Sequence, residues 1–217
     1  MNDRPERLRS YPGPDRPLEY WLSPELARLS PPEARSRLRE LADAQGTLTA
    51  AWGAGIGGGV VFILTGIFIM VMGGGLGPFI ALGLFGAGLL VGGILGCRRV
   101  RSRLPKTRHT LITRGPGSAR GGISMIVFFG VVLGAVFGYG AFNGGAREGS
   151  TVAALIGAYI LIMLFLVACL LVPSTIMGRS RASFRRKVQS NAQFRALLEE
   201  DLLTWRDPVG NASYGPL

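Results

Sequence analysis

Apolar residues in this chain run together instead of alternating with polar ones. Two blocks, residues 50–96 and 123–172, carry almost no charge, and the charged residues lie almost wholly outside them. A soluble core interleaves polar and apolar positions at helix or strand period. A helix crossing roughly 30 Å of hydrocarbon needs about 20 consecutive, mostly apolar residues. Each block is long enough for two such crossings. The first is interrupted by Gly73, Gly74, Gly75, Leu76, Gly77 and Pro78, which predict a tight turn between spans at about 50–72 and 78–96. The second is interrupted by the polar run Asn143–Ser150, which separates spans at about 122–142 and 151–172, the last closed by Pro173. The expected fold class is all-α: a polytopic membrane protein with four transmembrane helices in two hairpins and amphipathic cytoplasmic helices at both ends.

The flanking segments supply those end helices. Residues 1–49 read as an irregular Pro- and Arg-rich stretch followed by a helix at about 31–45. Ser30 and Glu33 act there as a capping box, with Pro31 in the first turn. Ser23-Pro24-Glu25 opens a shorter helix. Residues 97–121 form a basic loop. Residues 173–217 form a tail, basic then acidic, with a helix at about 181–205 whose Phe184, Val188, Phe194, Leu198, Leu202 and Trp205 lie near one face. That face has two readings: it lies on the inner leaflet or docks a partner, or it packs against the N-terminal helix. No apolar run occurs near the start of the sequence, so the first span is expected to act as an uncleaved signal anchor.

Charge sets the expected orientation. Residues 1–49 balance eight Arg against eight acids, residues 97–121 hold eight Lys/Arg and no acid, and residues 173–217 hold seven Lys/Arg and four acids. Lys/Arg excess marks cytoplasmic segments, which places both termini and the central loop inside. The net charge of +11 would ordinarily raise nucleic acid as a partner. Its concentration beside the spans points instead to a bilayer with an anionic inner leaflet. The expected lipid contacts are Arg98, Arg99, Arg101, Arg103, Lys106, Arg179, Arg181, Arg185, Arg186 and Lys187. Arg outnumbers Lys by 22 to 2, which reads as GC-rich coding and a bacterial cell membrane.

Within the spans, glycines recur four apart. In lipid, helices associate through close backbone approach rather than the hydrophobic effect, and small residues at that spacing form a groove. Gly53 and Gly57 mark span one, Gly88, Gly92 and Gly96 span two, and Gly130, Gly134 and Gly138 span three. These eight are the candidate packing residues, and the stripe on span three is expected to meet the stripe on span two. Span four holds one glycine, Gly157.

Candidate chemistry adds little. No span contains Asp, Glu, Lys, Arg or His, which argues against ion-coupled transport and voltage sensing. Gly53-Ala54-Gly55-Ile56-Gly57-Gly58 has the spelling of a dinucleotide loop without the strand that loop requires, so it reads as packing. His109 stands alone, Cys97 and Cys169 read as apolar filler, and Asn211-Ala212-Ser213 is a sequon in a tail expected to be cytoplasmic. No catalytic, metal or cofactor site is expected. The sequence points to a non-enzymatic accessory or assembly component of a membrane complex, alone with itself as a homo-oligomer or with a membrane-protein partner. The alternative is a small oligomeric channel or transporter for lipid or apolar substrates.

Overall fold

A computed structural model describes residues 16–31, 35–105, 119–143, 149–207 and 213–217. The described chain is helical. In order it forms α1 (Leu18–Leu22), α2 (Pro24–Leu29), α3 (Arg37–Val71), α4 (Leu76–Ser102), α5 (Ala119–Asn143), α6 (Gly149–Leu166), a π-helical turn (Val167–Leu171), α7 (Val172–Gly178), α8 (Ser180–Ser190) and α9 (Ala192–Thr204). Four helices are long and apolar enough to cross a membrane: α3, α4, α5 and the continuous run Gly149–Gly178. Glu33, Lys106, His109, Asn211, Ala212 and most of the Asn143–Ser150 interruption lie outside the described residues. The chain divides into two compact units, Met1–Gln45 with Ser102–Leu111 and Ser180–Leu217, and Gly46–Arg101 with Ile112–Arg179.

In the first unit, one core gathers residues from distant parts of the chain. Leu18, Trp21 and Leu22 of α1, Leu38, Leu41 and Ala42 of α3, Phe184 and Val188 of α8, and Phe194, Leu198 and Leu202 of α9 are buried together with Tyr214 and Leu217. Burying a large apolar side chain is worth about 1.5–3 kcal/mol. The apolar face read from the tail is therefore occupied by the chain's own N-terminal helices. The tail is two helices, not one. Asn191 adopts an extended backbone (φ −125°, ψ 101°), and its side chain accepts the Phe194 N–H at 3.0 Å, capping α9. A short side chain that can bond its own backbone competes with helix continuation. The break brings the rings of Phe184 and Phe194 edge to face at 5.5 Å.

The helix expected at 31–45 and the first span are a single helix, Arg37–Val71, because nothing between them but Gly46 opposes continuation. Its start is capped from two directions. The Ser36 hydroxyl accepts the Arg39 N–H at 3.3 Å, while the Arg37 and Leu38 N–H groups donate to the carbonyls of Ser213 (3.1 Å) and Tyr214 (2.9 Å). The first four N–H groups of a helix have no partner within it, and the tail supplies two of the missing acceptors. Arg37 then grips Asp201 with two nitrogens, at 3.1 and 2.8 Å.

In the second unit, the GGGLGP break is a defined helix ending. Gly73 has φ +83°, its N–H donates to Met70 and that of Gly74 donates to Ile69, so two terminal carbonyls of α3 are satisfied by the reversing chain. Gly75, at φ +82°, completes the reversal before α4. The fourth span differs from expectation at Pro173, which does not end it. The helix widens to a π turn in which Val172 donates to Val167, and Pro173 then sits in the first turn of α7. Proline lacks the N–H that would reach back four residues. The π turn re-registers the ladder around that gap, and Ser174 and Thr175 hydroxyls return bonds to Leu171 (2.9 Å) and Val172 (2.8 Å).

Candidate functional site

The apolar unit is organised by where helices approach closely enough to require glycine. On α3 and α4, a Cβ built on Gly59 would lie 2.7 Å from the Gly86 carbonyl, and one on Gly86 would lie 2.6 Å from the Gly59 carbonyl. Gly93 faces the Trp52 carbonyl and Ile56, Gly96 lies against the Trp52 ring, and Gly66 faces Phe79 and Leu82. A different set of α3 residues meets the fourth span. Gly53 opposes Ile176 and Val172, a Cβ built on Gly57 would lie 2.8 Å from that of Ala168, and Phe68 opposes Gly157. The fourth span also holds α5. A Cβ built on Gly130 would lie 2.9 Å from the Met163 methyl, the Tyr159 hydroxyl donates to the Gly130 carbonyl at 3.0 Å, Gly134 faces the Tyr159 ring, and Gly122 faces Ser174. In both α4 and α5 every buried residue is a glycine: Gly86, Gly93 and Gly96 in one, Gly122 and Gly130 in the other.

Of the eight glycines singled out by spacing, Gly53, Gly57, Gly96, Gly130 and Gly134 thus face a neighbouring helix, while a Cβ on Gly88, Gly92 or Gly138 would meet nothing within 4 Å. Gly130 and Gly134 meet Tyr159 and Met163, not the Gly88, Gly92 and Gly96 stripe. Gly59, four residues from Gly55, also carries a close contact, and Gly66, Gly86, Gly93, Gly122 and Gly157 carry close contacts that four-residue spacing did not select. Gly86 and Gly93 are seven apart, and seven residues is nearly two whole helical turns, so that spacing also marks one face.

Five hydroxyls of the apolar unit bond to backbone carbonyls. Thr65 donates to Val61, Ser124 to Arg120, Tyr159 to Gly130, Ser174 to Leu171 and Thr175 to Val172. Among the described residues no three His, Cys, Asp or Glu side chains converge on a point where a metal would sit.

The basic residues separate into two groups. Arg98, Arg99, Arg101, Arg103, Arg179 and Arg186 are exposed. Arg181 pairs with Asp43 at 3.1 Å, Arg185 donates to the Leu217 carbonyl, and the Lys187 ammonium lies 3.4 Å from the centre of the Phe194 ring. This second group is engaged in the fold of the first unit. Tyr214 and Glu19 of that unit are also shifted. Burial, with Asp201 adjacent, pushes the Tyr214 phenol well above its usual range. A hydrogen bond from backbone, reinforced by the Arg195 guanidinium, holds the Glu19 carboxyl below the usual carboxylate range.

No protein-family model, curated protein or solved structure matches this chain. The class is accordingly set by the architecture itself: an all-helical chain with four helices fit to cross a bilayer, packed through glycine, and a separate small helical core.

Proposed function

We propose that this chain is a non-enzymatic accessory or assembly component of a membrane protein complex, held in a bacterial cell membrane with both termini cytoplasmic. The observation that carries the reading is the condition of α4 and α5. Each buries glycines and little else, and each leaves large apolar side chains exposed, among them Leu84, Val91 and Leu95 on α4 and Phe128, Val131 and Val136 on α5. Lipid or a partner helix is the natural cover for such faces in a bilayer. Chemistry supports the same reading, since the hydroxyls of Thr65, Ser124, Tyr159, Ser174 and Thr175 bond to main-chain carbonyls.

Purification of the tagged protein from its own host in mild detergent tests this reading. A second membrane protein in stoichiometric amount is the expected result. A monodisperse single chain would overturn the proposal. A homo-oligomer that conducts solute in liposomes would favour a channel instead. For orientation, a reporter inserted after Gly145 is expected to report the outer face, and cytoplasmic signal there would reverse the assignment.

A further inference from the structure

The glycine contacts fix which ends of the helices lie level with one another. Trp52 touches Gly96 of α4, the adjacent Gly53 touches Ile176 of α7, and Ser174 of α7 touches Gly122 of α5. Residues 52–53, 96, 122 and 174–176 therefore share one end of the apolar unit. Arg98, Arg99 and Arg101 follow Gly96, Arg120 precedes Gly122, and Arg179 follows Ile176, and all five are exposed. The opposite end is marked by the contacts of Gly66 with Phe79 and of Gly157 with Phe68. The described residues of this unit include no Asp or Glu.

We infer that this ring of arginines is a binding surface for anionic phospholipid headgroups. The inference rests on the membrane-spanning reading above and names the lipid partner of that chain. Three points of chemistry carry it. The charge is of one sign and gathered at the level where the apolar stretches of the four helices end, which is where the phosphates of a leaflet lie. Each side chain is a guanidinium, whose planar fork takes a phosphate oxygen pair in two parallel bonds, where an ammonium acts as a point charge. Trp52, at the same level, is the amphipathic ring favoured at that depth. Arg120 joins the residues expected from the sequence, while Arg181, Arg185 and Lys187 also make contacts within the helical core.

The test uses the full chain in an uncharged detergent, with thermal unfolding followed as phosphatidylglycerol or phosphatidylcholine is added. Phosphatidylglycerol is expected to raise the melting temperature in a saturable, salt-sensitive way. Phosphatidylcholine and inorganic phosphate at equal concentration are expected to leave it unchanged. Replacing Arg98, Arg101 and Arg120 together by Gln is expected to weaken the apparent phosphatidylglycerol affinity by at least about tenfold. The triple Lys variant, which keeps the charge without the fork, is expected to lose part of that affinity, and Arg181→Gln none of it. Wild-type affinity in the triple Gln variant, equal stabilisation by phosphatidylcholine, or a loss in Arg181→Gln matching that of the triple variant would overturn the inference. If the triple variant does not fold, Arg98→Gln and Arg120→Gln singly are expected to cost about fivefold each, and no loss in either overturns it as well. The outcome is independent of whether a partner protein co-purifies, so failure here and failure of the accessory reading are separate results.

Discussion

At the scale of single residues, glycine in this protein is a requirement of contact at some positions and not at others. Gly86 and Gly88 are two residues apart on one helix, yet a methyl group on the first would press on the Gly59 carbonyl and on Ile63, while one on the second meets nothing. Overpacking of a tight contact costs typically about 1–3 kcal/mol. Gly86→Val is therefore expected to lower the melting temperature in detergent, and Gly88→Val to leave it within error. Equal effects would mean that α4 packs through a different face. Tyr159 offers a second residue-scale test. Its hydroxyl bonds the Gly130 carbonyl, and Tyr159→Phe removes that bond while keeping the ring against Gly134. Interhelical hydrogen bonds in membranes average about 0.6 kcal/mol, so a small loss of thermal stability is expected. The sequence shows these glycines as letters at regular spacing. It does not show which of several overlapping spacings the neighbouring helix selects, because that depends on the side chains brought opposite.

At the scale of elements, the boundaries made by backbone geometry were legible, and those made by compensation were not. Three glycines and a proline between two apolar runs leave the chain little choice, and the turn at Gly73–Gly75 follows. Pro173 is the contrary case. Its missing N–H is a local fact, but the π turn before it and the hydroxyls after it remove the penalty, and the helix goes on to Gly178. Asn191 is the reverse. An asparagine within an amphipathic pattern is an unremarkable letter until its side chain is seen to cap α9. Asn191→Ala is expected to destabilise the helical core by about 1 kcal/mol, read as a lowered denaturation midpoint, whereas Asn191→Ser should nearly match the parent. Comparable losses in both variants would show that the carboxamide acts elsewhere.

At the scale of the whole molecule, the sequence separates apolar from polar stretches but leaves open what the polar stretches make. Their apolar residues form one core, and residues 213–217, which carried no pattern to read, are built into it through Tyr214 and Leu217. The Tyr214 hydroxyl donates to the Leu198 carbonyl at 2.9 Å and is held neutral by burial. A phenol pKa raised by folding leaves its contribution intact below the unfolded value, near pH 10, and that contribution is lost as pH rises toward the folded value. The core is therefore expected to weaken above about pH 10, seen as a change in Trp21 and Trp205 fluorescence. Tyr214→Phe is expected to blunt that alkaline sensitivity. An unchanged alkaline profile in Tyr214→Phe would assign the effect to other groups.

The capping of α3 by the carbonyls of Ser213 and Tyr214 also has a meaning in time. A ribosome adds roughly 5–20 residues each second, so about ten to thirty seconds separate the synthesis of Arg37 from that of Tyr214. Throughout that interval the N–H groups of Arg37 and Leu38 have no Ser213 or Tyr214 carbonyl to donate to. All four long helices are made before the segment that closes the core exists. Leu38 and Leu41 can meet Leu18, Trp21 and Leu22 early, but the core they share gains Tyr214 and Leu217 only at the end of that interval.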